Sequence, residues 1–303
     1  MSFDSATAWQ QARSVHHSRY DLATLRGREQ SVSVCLPARN CAATVGAIVE
    51  ALVSLRDADL LEQIVVIDGD SQDGTREIAA DFGATVWRES ELMADYGPVL
   101  GKGDAMWRAL SVVEGDLVCF LDADIEEFPL HYVTGLLGPL IELPDVEFVK
   151  AFYRKSFRVG GLDLADGGGR VNHLVARPAL AIFYPELAGV SQPLAGEVAA
   201  SRALLERLPF TTGYGVEVAM LLDVLAQIGL DGMAQVDLDV QHNRHQSLLA
   251  LSAMAYEVLA VIARRLEREG RLNDLDPSQL LHVSAPQPAP RPTVERPPMV
   301  SVS

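Results

Sequence analysis

Short apolar runs alternate with amphipathic stretches along most of the chain. Ser31 to Leu36 has the composition of a buried strand. Ala42 to Leu55 then carries Val45, Ile48, Val49, Leu52 and Val53 as one helical stripe. Gln63 to Asp68 reads as a second strand, Gly69 to Thr75 as a turn with a helix running on to Phe82, and Ala84 to Trp87 as a third strand. A glycine-rich loop, Gly97 to Gly103, leads into a helix from Asp104 to Val113, and Val118 to Leu121 is again strand-like. Beyond it the pattern predicts a helix over 131–143, a strand from Glu147 to Tyr153 and a helix from Val171 to Phe183. The turn-rich segments Pro193 to Glu197 and Thr212 to Glu217 read as leading into helices. The second of these helices, 216–228, is apolar nearly all round and so buried. Met233 to Val240 alternates as a strand does, and Leu248 to Ile262 marks a long amphipathic helix. Strand–loop–helix units repeated in this way predict a doubly wound α/β layer. Residues 1–30 read as an N-terminal arm, and the polar, proline-rich stretch 269–303 as a loose tail.

Composition narrows the picture. The chain has 303 residues, 49% of them hydrophobic, enough for one large domain or two joined ones. Its net charge of -16 argues against nucleic-acid or anionic-membrane partners, so any anion site must be a local concentration of basic groups. No apolar run is long enough for a membrane span, and Met1 to Gln11 lacks the order of a signal peptide. With three cysteines and no disulfide framework implied, a cytoplasmic location is expected.

Candidate chemistry gathers at strand ends. The run Val118 to Leu121 stops at Asp122-Ala123-Asp124, and two carboxylates so close repel unless a cation or donors intervene. A hard divalent ion, Mg2+ or Mn2+, would relieve them and could hold a diphosphate, while a helix-capping Asp is the simpler alternative. Asp68 ends its strand in the same way and could accept from a base or ribose, or merely shape its turn. Lys102, on a glycine-rich turn at a helix start, suits a phosphate or is a solvated surface lysine. Between residues 150 and 170 the charge balance inverts, with Lys150, Arg154, Lys155, Arg158 and Arg170 against Asp163 and Asp166. That excess ends in Gly167-Gly168-Gly169-Arg170, a turn that lets backbone and guanidinium approach an anion. Glu217 lies in the first turn of the buried helix. Histidines beyond the strand at Val240 could add a ligand to an ion at Asp124, while a surface or hydrogen-bonded histidine is the commoner case.

Several segments, in order across most of residues 31–255, resemble one group of enzymes. They are Leu36-Pro37-Ala38-Arg39-Asn40, Ile67-Asp68-Gly69-Asp70-Ser71-Gln72-Asp73-Gly74-Thr75, Gly101-Lys102-Gly103, Asp122-Ala123-Asp124, Phe152-Tyr153-Arg154, Gly167 to Val171, Gln192 to Glu197 and Gly213-Tyr214-Gly215-Val216-Glu217. Together they are similar to the retaining, GT-A-fold glycosyltransferases that make glucosyl- or mannosyl-3-phosphoglycerate. The resemblance implies a Rossmann-like nucleotide-sugar-binding half over 31–150 and a mixed α/β acceptor-binding half with a closing helix over 151–268. It implies a nucleotide-sugar pocket of Pro37, Ala38, Arg39, Asn40, Asp68, Gly69, Lys102, Asp122 and Ala123. It places Leu194 and Glu217 against the transferred sugar, with Asp122 and Asp124 completing the catalytic set. Gly169, Arg170, Asn172 and Tyr214 would hold 3-phosphoglycerate. Asp124 would bind Mg2+ or Mn2+ with a histidine, for which His242 and His245 both stand as candidates.

The expected activity is transfer of mannose or glucose from GDP-mannose or UDP-glucose to the 2-hydroxyl of 3-phosphoglycerate, with retention, by a homodimer. Departures such as Cys41, and Asn172 where a threonine is expected, lie in the donor and acceptor segments. Two other readings stay open: an inverting transferase acting on a lipid or polysaccharide, and a nucleotide-sugar-binding protein without catalysis.

Overall fold

The computed structural model describes residues 3–155, 157–159, 162–164, 168–241, 247–272 and 294–302. In chain order the helices are α1 (Phe3–Arg13), α2 (Leu22–Leu25), α3 (Val45–Asp57), α4 (Thr75–Asp81), α5 (Lys102–Ala109), α6 (His131–Glu142), α7 (Arg177–Phe183), α8 (Arg202–Arg207), α9 (Val216–Ile228) and α10 (Leu248–Arg268). The strands are β1 (Ser14–His16), β2 (Val32–Ala38), β3 (Gln63–Asp68), β4 (Thr85–Arg88), β5 (Leu117–Phe120), β6 (Phe148–Lys155), β7 (Phe157–Val159), β8 (Leu162–Leu164), β9 (Val198–Ser201), β10 (Phe210–Thr211), β11 (Met233–Gln241) and β12 (Glu295–Arg296). One sheet of eight strands, in the order β1-β11-β6-β9-β5-β2-β3-β4, dominates the described residues.

Its layering follows from the alternation of side chains along the strands. Val34, Leu36 and Val66 point into one apolar layer with Ile48 and Leu52 of α3 and Leu136 and Leu137 of α6. Cys35, Val65 and Ile67 point the other way, into a layer with Met106 and Trp107 of α5 and Leu221 of α9. Apolar residues on both faces explain why these strands read as continuous hydrophobic runs, and they confirm the doubly wound arrangement. Pro37 sits in the centrally placed β2 without breaking the ladder. On one side β2 pairs with β5 only as far as Cys35, so the missing N–H falls beyond that pairing.

The order β6-β9-β5 departs from an all-parallel layer. β9 runs antiparallel to both neighbours, with Phe120 opposite Val198 and Lys150 opposite Val198. The Pro193 to Glu197 segment therefore leads into a strand and not into a helix. Alanine-rich Val198-Ala199-Ala200 carries little strand signal of its own, and its fully sheltered position decides its conformation. Because β9 runs the opposite way, its beginning lies at the rim where the parallel strands end. Gly196 and Glu197 are thereby delivered beside the carboxyl end of β5.

Three other expectations need correction. The predicted helix from Val171 begins as a π-helical turn, Asn172–Ala176, and becomes α-helical only at α7, where Pro178 is accommodated in the first turn. The helix expected over 104–113 starts earlier, at Lys102. The chain after 269 is not wholly loose. Residues 294–302 lie against the body, with β12 paired antiparallel to β10 and the Trp107 Nε1–H donating to Pro297 O at 2.7 Å. The arm likewise contributes β1 to the sheet edge beside β11, where Asp239 meets the imidazoles of His16 and His17 at 3.2 and 2.7 Å. No described helix is long and apolar enough to cross a membrane.

Just beyond β4, Glu89 is 3% exposed and its Oε1 has no hydrogen-bond partner among the described residues. Burial first, and then the charge of Asp104, push its carboxyl up to about 8. A raised carboxyl favours the neutral form in the folded protein. Its cost is absent below the ordinary value of 4.5 and grows as pH rises from there to about 8. The Glu89→Gln variant should therefore gain more melting temperature over wild type at pH 8 than at pH 5; an equal gain at both would refute the buried titration.

Candidate active site

The rim of the sheet gathers the residues that the sequence marked as separate motifs. After β5 the chain leaves the sheet, with Asp122 half-buried and Asp124 exposed. Lys102, at the start of α5, reaches Asp122 Oδ1 at 2.5 Å and Glu217 Oε1, from the first turn of α9, at 2.9 Å. Burial works against the lysine's charge, but Asp122 and then Glu217 outweigh it and hold the ammonium well above its ordinary range. For Asp122 burial likewise pushes upward, and the Lys102 charge and hydrogen bond overcome it, so its carboxyl is held below the usual value. Lys102 is thus a cross-link between two carboxylates and not a solvated surface group.

Gly196 completes this corner. A Cβ there would lie 2.3 Å from Asp122 Oδ2, so only glycine lets the 192–197 segment approach the carboxylate. Within that segment the Leu194 N–H donates to Asn172 Oδ1 at 3.2 Å, joining it to the π-helical turn. The Asn172 Nδ2 is buried with no hydrogen-bond partner among the described residues. An orphaned buried donor is costly, and an acceptor oxygen of a ligand would satisfy it. Gly169, preceding it, takes a left-handed φ of 66°, and the Gly168 N–H donates to Lys155 O at 3.1 Å, in line with the glycine turn read from the sequence. Arg170 sits half-buried between this turn and Val171. Gly167, Arg158 and both candidate metal histidines, His242 and His245, lie outside the residues whose side chains are described.

The donor side is built from backbone turns. Asn40, at φ 56°, donates its N–H to Ser71 Oγ at 2.9 Å and accepts at Oδ1 from the Gln72 N–H at 3.0 Å. Gly69 N–H donates to Ala38 O at 2.8 Å. Asp68 is fully buried and accepts from the Ser71 N–H at 3.2 Å, so the turn-shaping role is visible in the structure. Thr44 Oγ1 donates to Ala123 O at 2.6 Å, tying the start of α3 to the Asp122–Asp124 loop. Pro37, Ala38 and Arg39 form the end of β2 and its exit, at the rim where Asp68 ends β3.

A polar layer beneath the cleft was not legible as chemistry. Glu197 is fully buried, accepting from Tyr153 OH and from Gln241 Nε2, each at 2.8 Å. Burial and then the charge of Asp122 raise its carboxyl. Lys150, counted above only as part of a basic stretch, is buried and donates to Ala195 O at 2.6 Å, with burial pushing its ammonium down to about 8. The available signal was a polar residue recurring in apolar surroundings at 150, 192, 197 and 241.

The carboxylates suit a hard cation. Asp124 has an exposed surface, yet nearby protein atoms desolvate its carboxyl, and this together with the Asp122 charge raises it. Asp122 is committed to Lys102, and Asp124, which faces outward, could then offer its carboxylate to a cation.

A doubly wound sheet with an antiparallel insertion, ending in an Asp-Ala-Asp rim, is the framework of a GT-A glycosyltransferase. The description Glycosyl transferase family 2 matches residues 33–161. The glucosyl-3-phosphoglycerate synthase of Petrotoga mobilis is 38% identical over 306 residues, spanning 96% of this chain and 94% of that protein. The crystal structure of mannosyl-3-phosphoglycerate synthase from Rubrobacter xylanophilus superposes with a TM-score of 0.88 at 45% identity, covering 98% of each chain. That of glucosyl-3-phosphoglycerate synthase from Mycobacterium tuberculosis with Mn2+, UDP-glucose and phosphoglyceric acid superposes with a TM-score of 0.76 at 38% identity, covering 93% of each. The chain belongs to this family of glucosyl- and mannosyl-3-phosphoglycerate synthases and is a glycosyltransferase.

Removing the cross-link should disable the site. Lys102→Met leaves Asp122 and Glu217 facing each other without a cation, and turnover should fall by about two to three orders of magnitude, as for loss of a preorganised charge. Steady-state rates on a variant with unchanged circular dichroism check this; near-normal turnover would mean that the lysine only supports the fold.

Proposed function

We propose that this chain transfers a hexose, mannose or glucose, from GDP-mannose or UDP-glucose to the 2-hydroxyl of 3-phosphoglycerate, in a reaction that needs a divalent cation. The observation that carries this reading is Lys102 held between Asp122 and Glu217, within one segment of Asn172 and its unsatisfied amide. The two relatives with solved structures act on, or bind, the sugars and acceptor named for them, and the present chain aligns with each over nearly its full length.

In this reading Asn40, Asp68 and Gly69 shape the pocket for the base and ribose, and Arg39 flanks it. Lys102 and Asp122 meet the sugar and its phosphates, and Ala123 bounds the pocket. Asp124 holds Mg2+ or Mn2+ with one of His242 and His245. The bound cation would neutralise charge on the departing diphosphate. Gly169, Arg170 and the Asn172 amide grip the phosphate and carboxylate of 3-phosphoglycerate, with Tyr214, which is exposed, at the mouth. Leu194 and Glu217 bracket the hexose. Lys150 fixes the carbonyl of Ala195, which holds the 193–196 segment at a constant distance from Asp122. Positioning of this kind accounts for several kcal/mol of barrier lowering, on the order of 7 at best. Asp122 and Glu217 are both engaged by Lys102 and are poorly disposed to attack carbon, so departure and attack on one face of the sugar, with retention, is the favoured course.

The two-substrate assay is direct. The protein is incubated with each nucleotide sugar, Mn2+ or Mg2+, and either 3-phosphoglycerate, glycerol 3-phosphate or a phospholipid. A product with the donor's anomeric configuration should form with 3-phosphoglycerate, and Asp124→Ala or chelation of the metal should abolish it. Transfer to lipid with inversion, or binding of the nucleotide sugar without transfer, would contradict the proposal.

The same reading takes the protein to be a cytoplasmic homodimer. Leu174, Ile182 and Leu248 are each more than 70% exposed, Leu259 is 45% exposed, and their helices pack side by side. Sedimentation equilibrium should give twice the chain mass, with Leu248→Glu shifting the protein towards monomer; a monomeric wild type would remove the subunit pairing.

A further inference from the structure

Beneath the Gly97–Gly103 loop lies a buried set of charges that the transfer chemistry above does not use. Asp104 and Arg108, both on α5, are fully buried. Arg108 donates to the carbonyls of Leu92, Met93 (3.3 Å) and Gly97 (2.8 Å). A second guanidinium arrives from the far end of the sequence. Arg296, 6% exposed on β12, donates through Nε and Nη2 to the two oxygens of Asp104 at 2.8 and 2.9 Å. It also donates to Tyr96 O and, at 3.1 Å, to Pro98 O, and it lies 5.5 Å from the centre of the Trp107 ring. Asp104 in turn accepts from the Leu100 N–H at 2.9 Å.

The loop between Leu92 and Gly101 thus hangs from two buried arginines and the carboxylate between them. It contains Pro98, has left-handed φ values at Gly97 and Gly101, and is held internally by a single 3-10 turn, Ala94–Tyr96, with no strand ladder of its own. Lys102 is the next residue, and its three-way contact with Asp122 and Glu217 depends on where the loop delivers it. The segment that supplies Arg296 is itself anchored elsewhere. Thr212 N–H donates to Val294 O at 2.8 Å and Val294 N–H to Thr212 Oγ1 at 2.9 Å, immediately before the Gly213–Tyr214 turn. Glu295 accepts from Arg265 at 3.0 Å and from Arg268, both on α10.

We propose that the C-terminal segment around Arg296 is a working part of the active site's support. Arg296 is a positioning residue that fixes the 94–101 loop, and through it Lys102, for the nucleotide sugar. The proposal rests on the transferase reading, since Lys102 must meet the donor for its placement to matter. Buried bidentate guanidinium–carboxylate contacts fix direction as well as distance, which a lysine or an apolar side chain at 296 would not reproduce. Loss of the guanidinium strips the Tyr96 and Pro98 carbonyls of their donor and leaves Asp104 with the Leu100 N–H and Arg108. The loop then samples other conformations, and the donor is met by a misplaced lysine. Asn172, an acceptor group in that reading, accepts from the Leu194 N–H and has no described hydrogen bond to any of these atoms.

The test compares full-length wild type with Arg296→Met, varying nucleotide sugar and 3-phosphoglycerate separately. For the donor, kcat/KM should fall by about tenfold or more, while KM for 3-phosphoglycerate changes by less than about threefold. In Arg296→Ala, where the truncation leaves room for it, millimolar guanidinium should restore part of the donor-side loss. Affinity for the nucleoside diphosphate with Mn2+, read by calorimetry on both proteins, should fall in parallel and does not depend on turnover. A wild type that transfers no sugar would defeat the transferase reading, and the calorimetry would still judge Arg296. A folded Arg296→Met variant with donor kinetics and nucleotide affinity within about twofold of wild type would overturn the proposal, as would equal losses for donor and acceptor. Should that variant fail to fold, Arg296→Lys keeps the charge without the fork, and the same criteria apply to it.

Discussion

One half-buried cation ties together elements that lie far apart in the chain. Lys102 stands at the start of a helix on one side of the sheet, Asp122 beyond a strand end, and Glu217 at the start of a second helix. Each group would be costly where it sits without the others, because desolvation penalises every one of them alone. Together they tie α5, the loop after β5 and α9 to a single point. The approach of Gly196 to Asp122, at a distance no other residue could tolerate, adds the 192–197 segment to the same corner. Almost everything that distinguishes this cleft from a plain sheet edge follows from those contacts.

The strand that makes the corner possible is also the one that runs the wrong way. β9 brings its beginning, and not its end, to the rim. The π-helical turn at Asn172, joined to Leu194 by a hydrogen bond, therefore lies close to where the chain enters the sheet beside Asp122. Beneath, Tyr153, Gln241 and Lys150 satisfy Glu197 and Ala195 and keep that passage rigid. The Gln241 Oε1 has no hydrogen-bond partner among the described residues, and the remaining bonds of the network favour one arrangement where an apolar layer would tolerate several.

How much of this was readable without coordinates depends on how local the cause is. The span Gln63–Asp68 and the helix 216–228 came out with the boundaries that the hydrophobic pattern predicts, because burial on both sides writes itself directly into composition. Asp122, Asp124, Lys102 and Glu217 were visible as polar residues at element ends, and the resemblance named their roles. β9 was not visible, since an alanine-rich strand is made by its neighbours. The π-helical start at Asn172 follows from packing and from Pro178, which no periodicity reports. Arg296 looked like part of a loose tail, because a proline-rich, polar stretch signals no core; its partners Asp104 and Tyr96 lie almost two hundred residues earlier.

In the proposed reading an ion at Asp124 and a lysine held by Asp122 and Glu217 would both act on one diphosphate. Electron–nuclear double resonance on protein loaded with Mn2+ and a nucleoside diphosphate measures this most directly. The account predicts phosphorus hyperfine coupling from the diphosphate to the protein-bound ion in wild type, and its loss together with protein-bound Mn2+ in Asp124→Ala. Strong phosphorus coupling on an ion that stays bound to the protein when Asp124 is removed would contradict it.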